Sequence, residues 1–491
     1  MTHENFARTL SEGLSIKEPD NDVEKGHDGT SIMEKYVLDN TSDADNSAIS
    51  ALVQEDHQHE IKLRTMSWKM AAILLIGDQF ALAIMAQPAA LKTLGWVPGL
   101  ITIAGVATLF WITSMTMHRF IMRHPQIMNI CDFGYYAFGQ SRTAFIFSAF
   151  MLIINNVILI GFHILTCTQI LNTLSDHSIC SALFSVIATI MGIVLSLPRT
   201  LHHVSTVSMF SSGCMAISIL LFMIFAGIQD HPGQGPNNSV YPKLGPVKTT
   251  AFPPENTSWV ECINAVLNIT FLWAPQILFP TFIAEMRQPQ DFPKSLNVLT
   301  AFQTVLFTVP PVVGYYYLGQ YSTAPAFASL GSEKYRKASF AFVIVTSLVI
   351  GAIYANVTAK FIYMPLMGKS RHAHSNTLIG WGAWLCVMTL VWVIAFIFAE
   401  VVPSMGDFLS LLGAAFDSFF GFIFYAIAYW QLYRGNLFKS AWRSIITLVQ
   451  VAILAVGFFV LGPGMYAAVE TIIGDYSGGV SPVFSCKDMS L

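Results

Sequence analysis

The chain has 491 residues, of which 54% are hydrophobic and only 11% charged, and its mean hydropathy is +0.56. A soluble chain of this size usually carries about 25% charged residues, so the composition argues against an ordinary cytosolic enzyme. It argues equally against a nucleic-acid-binding protein, which needs a basic surface, because the net charge is −3.

The acidic side chains are concentrated at the start of the chain. The first 60 residues hold 14 acidic and 4 basic side chains, whereas the remaining 431 hold 15 acidic and 22 basic ones. Residues 1–62 are polar and lack sustained apolar periodicity, so we expect a disordered, acidic cytoplasmic tail. Its start does not match a secretory signal, so we expect the first internal apolar segment to direct membrane insertion.

Eleven apolar segments follow the tail. A spanning helix needs about 20 mostly apolar residues, because about 30 Å of hydrocarbon is crossed at 1.5 Å per residue. The predicted fold is an all-α polytopic membrane protein with about eleven transmembrane helices over residues 63–476, followed by a short extracellular segment, 477–491. The eleven segments are 68–91, 97–117, 144–172, 182–198, 204–228, 259–284, 296–318, 338–363, 378–399, 408–430 and 443–468.

The basic residues predict the orientation of these helices. A cytoplasmic N-terminus places 15 Lys and Arg residues on the inner connections and 7 on the outer ones, as the positive-inside rule requires. With eleven spans, the C-terminus is then extracellular. The longest connection, 229–258, lies outside and carries two glycosylation sequons, at Asn237 and Asn256.

The seven cysteines have no CxxC spacing, which argues against a metal or redox site, and we expect no cofactor. Cys180, Cys262 and Cys486 all fall near the external face in this topology. A single disulfide among these three is a hypothesis.

Two of the eleven segments are interrupted by polar residues and proline. The first, Gly77 to Pro88, contains an acid, two glutamines and a proline, and the sixth, Asn268 to Pro280, contains two prolines. Breaks in a membrane helix are tolerated only where the backbone is buried in protein or lines a cavity. Because the two broken segments lie five helices apart, they indicate a five-plus-five inverted repeat with a transport site at mid-membrane. The competing interpretation is a pair of ordinary proline kinks.

Such a site suits a zwitterion without any charged side chain. Helix N-termini attract a carboxylate, whereas free carbonyl groups and helix C-termini attract an ammonium group. An apolar pocket lined by Trp273, Phe80 and Ile84 would then select the side chain. The candidate substrate-binding residues are Phe80, Ala83, Ile84, Met85, Gln87, Thr270, Trp273, Ala274 and Gln276.

Ionisable residues within the apolar segments are functional candidates, because charge in a bilayer is costly. Asp78 is the candidate for proton coupling, with a hydrogen-bonded structural acid as the alternative. Glu285 and Arg287 are predicted to act as a gate or as a structural ion pair. For Asp417 and His163 we favour structural roles.

Five stretches of the chain carry recognisable motifs, and they are 125–139, 197–201, 285–292, 351–360 and 399–412. These stretches resemble motifs of the amino acid/auxin permease family, and within it the fungal neutral amino-acid permeases. The resemblance runs from about Ser67 to Cys486 and implies five-plus-five inverted repeats, an eleventh helix and, in most members, co-transport of amino acids with protons. Each broken span departs from the family's pattern, the first at Ala83 and Gln87 and the sixth at the pair Pro275-Gln276, so a larger or more polar amino acid or a related small molecule stays open.

The predicted function is import of neutral amino acids by proton symport at the plasma membrane, with a related small molecule as alternative substrate. Sodium coupling stays open, because Thr346, Ser347 and Thr358 offer hydroxyl groups in the eighth segment. A vacuolar carrier, an exporter of an amino-acid-derived metabolite and a nutrient receptor with little transport are the alternatives. A membrane enzyme is disfavoured, because HExxH and GxSxG motifs are absent.

Overall fold

The structure, a computed structural model, describes five stretches of the chain: residues 66–198, 204–233, 245–367, 377–478 and 483–491. The predicted tail, 1–62, and the sequon at Asn237 lie outside the described residues. Within these stretches the chain is helical, and the single extended pairing is an isolated bridge between Met66 and Met286.

The first half of the helical region contains an interrupted first span and four further long or medium helices. Its helices are α1 (Trp68–Asp78), a 3-10 helix (Leu82–Ala86), α2 (Gln87–Leu94), α3 (Trp96–Arg123), α4 (Ile130–Ala137), α5 (Arg142–Ser175), α6 (Ser181–Ser196) and α7 (Val204–Ile228).

The second part of the helical region begins with another interrupted span. Its helices are α8 (Trp259–Phe271), a 3-10 helix (Pro275–Leu278), α9 (Phe279–Glu285), α10 (Phe292–Leu306), α11 (Val309–Leu318), α12 (Glu333–Met367), α13 (Leu378–Val401), α14 (Met405–Leu412), a π-helix (Gly413–Ile423), α15 (Phe424–Leu432), α16 (Ala441–Phe459), a π-helix (Val460–Gly464) and α17 (Met465–Ser477). Single 3-10 turns lie at Pro289–Asp291, Gly319–Tyr321 and Ala326–Ser329.

The described part of the chain contains nine helices that are long and apolar enough to cross a membrane, and ten if α1 and Leu82–Leu94 form one bent span. The fourth predicted segment is α6, which has only 16 residues and falls short of that length. A multi-pass all-α fold is therefore confirmed, whereas the count of eleven and the inverted repeat stay predictions.

Local signals in the sequence start several of these helices. The Ser67 hydroxyl accepts a hydrogen bond from the Met70 N–H at the start of α1, and the Asn129 side chain accepts two at the start of α4. Such side chains satisfy backbone donors that a first helical turn leaves unpaired. Gly95 separates α2 from α3 with a φ of +77°, and a side chain there would overlap the backbone of Phe252.

Small residues let α5, α6, α12 and α13 pack closely. Gly161 on α5 faces the carbonyl of Ala395, and Gly192 on α6 faces the indole of Trp392, both on α13. The Trp392 indole N–H donates to the Ser196 hydroxyl at 3.2 Å. Close approach through glycine is typical of helix pairs in membranes, where packing replaces the hydrophobic effect between helices.

Gly192→Val is expected to destabilise the protein by about 1–3 kcal/mol, since the added atoms would overlap a Trp392 ring that is only 2% exposed. The midpoint of thermal unfolding of the purified chain in detergent measures the effect. Gly382→Val is the matched control, because Gly382 lies on the helix of Trp392 and no atom lies within 4 Å of a side chain built there. Equal midpoints for the two variants would contradict this packing.

A disulfide ties the C-terminal segment to the helix bundle. Cys180 at the start of α6 is bonded to Cys486, whereas Cys262 is a free thiol. The Ser181 hydroxyl donates to the Lys487 carbonyl at 2.6 Å, which holds the segment at the same place. The structure thus contains one disulfide among the three cysteines that the sequence singled out.

Candidate functional site

Both predicted helix interruptions are present. The α1 helix ends at Asp78, and the chain is extended at Ala81 before the 3-10 helix begins, with a bend of 48° between the two halves. The α8 helix ends at Phe271, and a 3-10 helix follows at Pro275 after a short non-helical step. In the sixth span Pro275 lies at the break, because proline lacks the N–H that a continuous helix needs. In the first span the polar residues Asp78 and Gln79 lie at the break, and Pro88 lies further on, in the first turn of α2.

A cavity of about 120 Å³ lies between the two breaks. It is lined by residues of both broken spans, by α5, by α12 and by the π-helix of residues 413–423. None of the lining residues, all of them within the described part of the chain, is Lys or Arg. The lining side chains with polar groups are Asp78, Gln79, Asn155, His163, Tyr354 and Asp417.

Asp78 lies at the cavity, as the proton-coupling prediction requires. It is the last residue of α1, and its side chain is accessible from the cavity. The adjacent Gln79 is 3% exposed, and its side-chain amide donates to the Leu75 carbonyl while its oxygen accepts a hydrogen bond from Gln303 at 2.7 Å. These bonds hold the end of α1 against α10 and thereby position Asp78.

Asp417 also lines the cavity, although the sequence favoured a structural role for it. It lies within the π-helix, is 6% exposed, and one of its carboxyl oxygens has no hydrogen-bond partner. π-helical segments inside α-helices are frequent at functional sites. The signal available in the sequence was an acid in the middle of an apolar span, and that signal alone does not say which way the side chain points.

A second, smaller cavity of about 10 Å³ lies on the other side of Asp417. Its lining includes Thr270, Trp273, Ala274 and Gln276 of the sixth span. The Trp273 indole nitrogen and the Gln276 side-chain oxygen are both buried without a hydrogen-bond partner among the described residues. Asp417 therefore lies between two cavities that share Ala274.

The nine candidate substrate-binding residues separate into three groups. Ala83 and Ala274 line the main cavity, and Thr270, Trp273 and Gln276 line the smaller one with Ala274. The other four candidates line neither cavity in this structure and pack into the protein instead; they are Phe80, Ile84, Met85 and Gln87.

Gln87 and Gln276 join structural elements through their side-chain amides. Gln87 is 1% exposed and donates to the Asn268 carbonyl at 2.9 Å, which links the first broken span to the sixth. Gln276 donates to the hydroxyl groups of Thr113 at 2.7 Å and Ser114 at 3.0 Å, which links the sixth span to α3.

Glu285 and Arg287 form no ion pair within the described stretches. Their backbones instead pair with Met66, whose N–H donates to the Glu285 carbonyl and whose carbonyl accepts from the Arg287 N–H, at 3.1 and 2.8 Å. This bridge joins the residue before α1 to the end of the sixth span. Away from this end of the bundle, Asn256 lies exposed on the connection before α8.

The hydroxyl groups considered for sodium lie away from the cavity. Thr346 donates to the Ser211 carbonyl, Thr358 donates to the Tyr354 carbonyl of its own helix, and the Ser347 hydroxyl is buried. None of the three is among the residues that line the two cavities.

Comparison with known proteins places the chain among transporters. The chain is 28% identical to the N amino acid transport system protein of Neurospora crassa, over 89% of this chain and 91% of the relative. It is 27% identical to a transmembrane transporter of Fusarium pseudograminearum, over 94% and 96%, and 24% identical to the amino acid transporter AVT1J of Arabidopsis thaliana, over 80% and 88%.

Among solved structures, that of Mhp1 is similar to the chain. It is described as a nucleobase-cation-symport-1 family transporter in a closed conformation with bromovinylhydantoin bound. It shares 12% identity over 84% of this chain and 93% of that chain, with a TM-score of 0.49. This likeness is too distant to bear on the fold, which rests on the helices described above.

The model of the family described as transmembrane amino acid transporter protein matches residues 64–470, which cover all but the tail and the last residues. This match confirms the resemblance to amino-acid permeases that the motifs indicated. The chain is a multi-pass membrane protein that belongs to the transmembrane amino acid transporter family.

Proposed function

We propose that the protein is a secondary active transporter that imports neutral amino acids by proton symport, with alternating access to its central cavity. The observation that carries this proposal is the convergence of two broken helices on one cavity that contains Asp78 and Asp417 but no Lys or Arg. Broken helices supply backbone groups for the two charges of an amino acid, and Asp78 supplies a group that can carry a proton.

Several observations favour amino acids as the substrates. The relative in Neurospora crassa is named as an amino acid transport protein, as is the relative in Arabidopsis thaliana. A cavity that lacks Lys and Arg is poorly suited to an anion, whereas a neutral zwitterion brings its own positive charge. A neutral amino acid therefore fits the charges of this site.

We infer a cytoplasmic N-terminus, an extracellular C-terminus and a location in the plasma membrane. The excess of basic residues on the predicted inner connections supports the orientation. The Cys180–Cys486 disulfide supports an external position for the start of α6 and the C-terminal segment, because disulfides persist in oxidising surroundings. The proposed architecture is eleven helices, with residues 1–62 as a tail outside the fold.

The decisive experiment measures uptake by the full chain in proteoliposomes. Radiolabelled neutral amino acids, offered as a panel with an imposed pH gradient and no sodium, are expected to accumulate, and an uncoupler is expected to abolish the accumulation. Accumulation that needs sodium instead would contradict proton coupling. Failure to take up any amino acid would favour a receptor, and uptake confined to other metabolites would favour the alternative carrier.

A further inference from the structure

The central cavity has an imbalance of charge that its own side chains do not correct. Asp78 and Asp417 reach it from different helices, and the lining contains no Lys or Arg. Its other titratable side chains are Tyr354 and His163, and the imidazole of His163 is only 6% exposed, so burial disfavours its charged form. An uncompensated carboxylate in a membrane interior is costly, and two facing one cavity cost more. The loaded cavity therefore requires protons or positive charge from the bound molecule.

The two carboxyl groups lie in different surroundings. Asp78 ends α1, so it lies at the negative end of that helix's dipole, which favours the neutral acid over the carboxylate. Asp417 lies within the π-helix and is only 6% exposed, so burial disfavours its carboxylate unless a positive charge is near. The Tyr354 phenol lies within electrostatic range of both carboxyl groups, and the Tyr425 phenol lies within range of Asp417, to whose carboxylate it can donate a hydrogen bond. A cation that enters the cavity would therefore stabilise the Asp417 carboxylate.

The carboxyl group of Asp417 also has an oxygen without a hydrogen-bond partner, and it lies where a ligand in the cavity can reach it. Only 6% of the residue is exposed, and it lines both cavities, so what remains accessible faces them. One carboxyl oxygen is buried with no hydrogen-bond partner among the described residues, and so is the Tyr425 hydroxyl. A buried acceptor without a donor is unfavourable, and an ammonium group entering the cavity offers three donors together with the missing positive charge.

We propose that Asp417 binds the amino group of the transported molecule, while Asp78 carries the coupled proton. This inference rests on the proposed amino-acid transport, and it adds that the site selects substrates with a positively charged amino group. The cationic amine is recognised by a side chain of the tenth predicted segment and not by the backbone of the broken helices alone. An α-hydroxy acid with the same side chain as the substrate keeps the carboxylate but lacks that positive charge, so it binds weakly.

The test compares an amino acid with its α-hydroxy acid as competitors of amino-acid uptake by the full chain in proteoliposomes. In the native protein the hydroxy acid is expected to inhibit at least roughly 30-fold more weakly, as for loss of a charge-assisted hydrogen bond. Asp417→Asn is expected to weaken inhibition by the amino acid at least tenfold and to change inhibition by the hydroxy acid by less than about threefold. The preference for the amino acid over the hydroxy acid would then be lost. Ser418→Ala, a neighbour outside both cavities, is the control and keeps the preference.

The outcomes separate this inference from the proposed function. A native chain that takes up no amino acid overturns both. If the native chain takes up amino acid and Asp417→Asn keeps the native preference, the inference alone is overturned. The inference is also overturned if Asp417→Asn loses proton-driven accumulation while keeping the preference, because Asp417 would then be the proton carrier.

Two further variants keep the test decisive if Asp417→Asn does not fold. Tyr425→Phe removes the unpartnered hydroxyl near Asp417. It is expected to weaken inhibition by the amino acid severalfold without affecting inhibition by the hydroxy acid. Asp417→Glu keeps the charge and is expected to retain the preference. An unchanged preference in Tyr425→Phe together with a lost preference in Asp417→Glu would overturn the assignment.

Discussion

Asp78→Asn is expected to abolish accumulation of amino acid against its gradient while leaving equilibration across the membrane. The asparagine side chain keeps the shape of the carboxyl group but cannot take up and release a proton. One proton moving down one pH unit supplies about 1.4 kcal/mol, which sustains a tenfold concentration ratio. The ratio of internal to external radiolabelled substrate should therefore fall from about ten to about one under such a gradient.

The control for this prediction is Asp291→Asn, which neutralises a carboxyl group outside the cavity. Asp291 precedes α10 and pairs with Lys294 in the first turn of that helix, and a surface ion pair of that kind contributes little to stability. That variant should accumulate substrate normally. Counterflow exchange without a gradient shows whether Asp78→Asn still moves substrate. Full accumulation by Asp78→Asn would remove Asp78 as the proton carrier.

Gln87→Met is expected to slow uptake by about tenfold without changing the accumulation ratio. The Gln87 amide donates to the Asn268 carbonyl at 2.9 Å and more weakly to the Ala83 carbonyl, and a methionine of similar size can donate to neither. Leaving a buried acceptor unpaired costs about 1–3 kcal/mol, which corresponds to roughly 5- to 150-fold in a conformational equilibrium. Since this bond joins the two broken spans, its loss should impair their concerted movement.

Initial rates and final accumulation, measured in the same vesicles, check this prediction. Thr93→Val provides the control, because the Thr93 hydroxyl donates only within its own helix, to the Ala89 carbonyl. A slow approach to a normal plateau is the expected result for Gln87→Met. A normal rate would show that the bond between the two spans is dispensable, and a lowered plateau would place Gln87 in proton coupling.

Both interruptions were predictable from the sequence, because polar side chains or proline within apolar runs disfavour a continuous membrane helix. Pro275 lies at the break of the sixth span, and Asp78 and Gln79 lie at the break of the first. The sequence did not determine which neighbouring side chains face the cavity. The Phe80 ring packs against the Phe302 ring, with 5.6 Å between the ring centroids. The side chains of Ile84 and Met85 are fully buried. The direction of each side chain depends on how the 3-10 segment is rotated against its neighbours.

The position of Asp417 is a second case. A lone acid among phenylalanines in an apolar span has no partner that sequence can identify, so the sequence alone favours a structural role. Its place at the cavity depends on the π-helical turn and on α5, α8 and α12, whose residues line the same cavity. These elements are far apart in the chain, and no local pattern brings them together.

The sequence by itself determined that this protein is a multi-pass helical membrane protein of the amino-acid permease type and where its two helices are interrupted. The membrane helices and their interruptions follow from composition, from the length of apolar runs and from local backbone chemistry. The permease type follows from the resemblance of five stretches to the motifs of that family. Only the tertiary structure decided that Asp78 and Asp417 share one cavity, that Gln87 joins the two broken spans and that Cys180 pairs with Cys486. Each of these joins residues more than 150 positions apart, and such contacts are decided by how the helices pack.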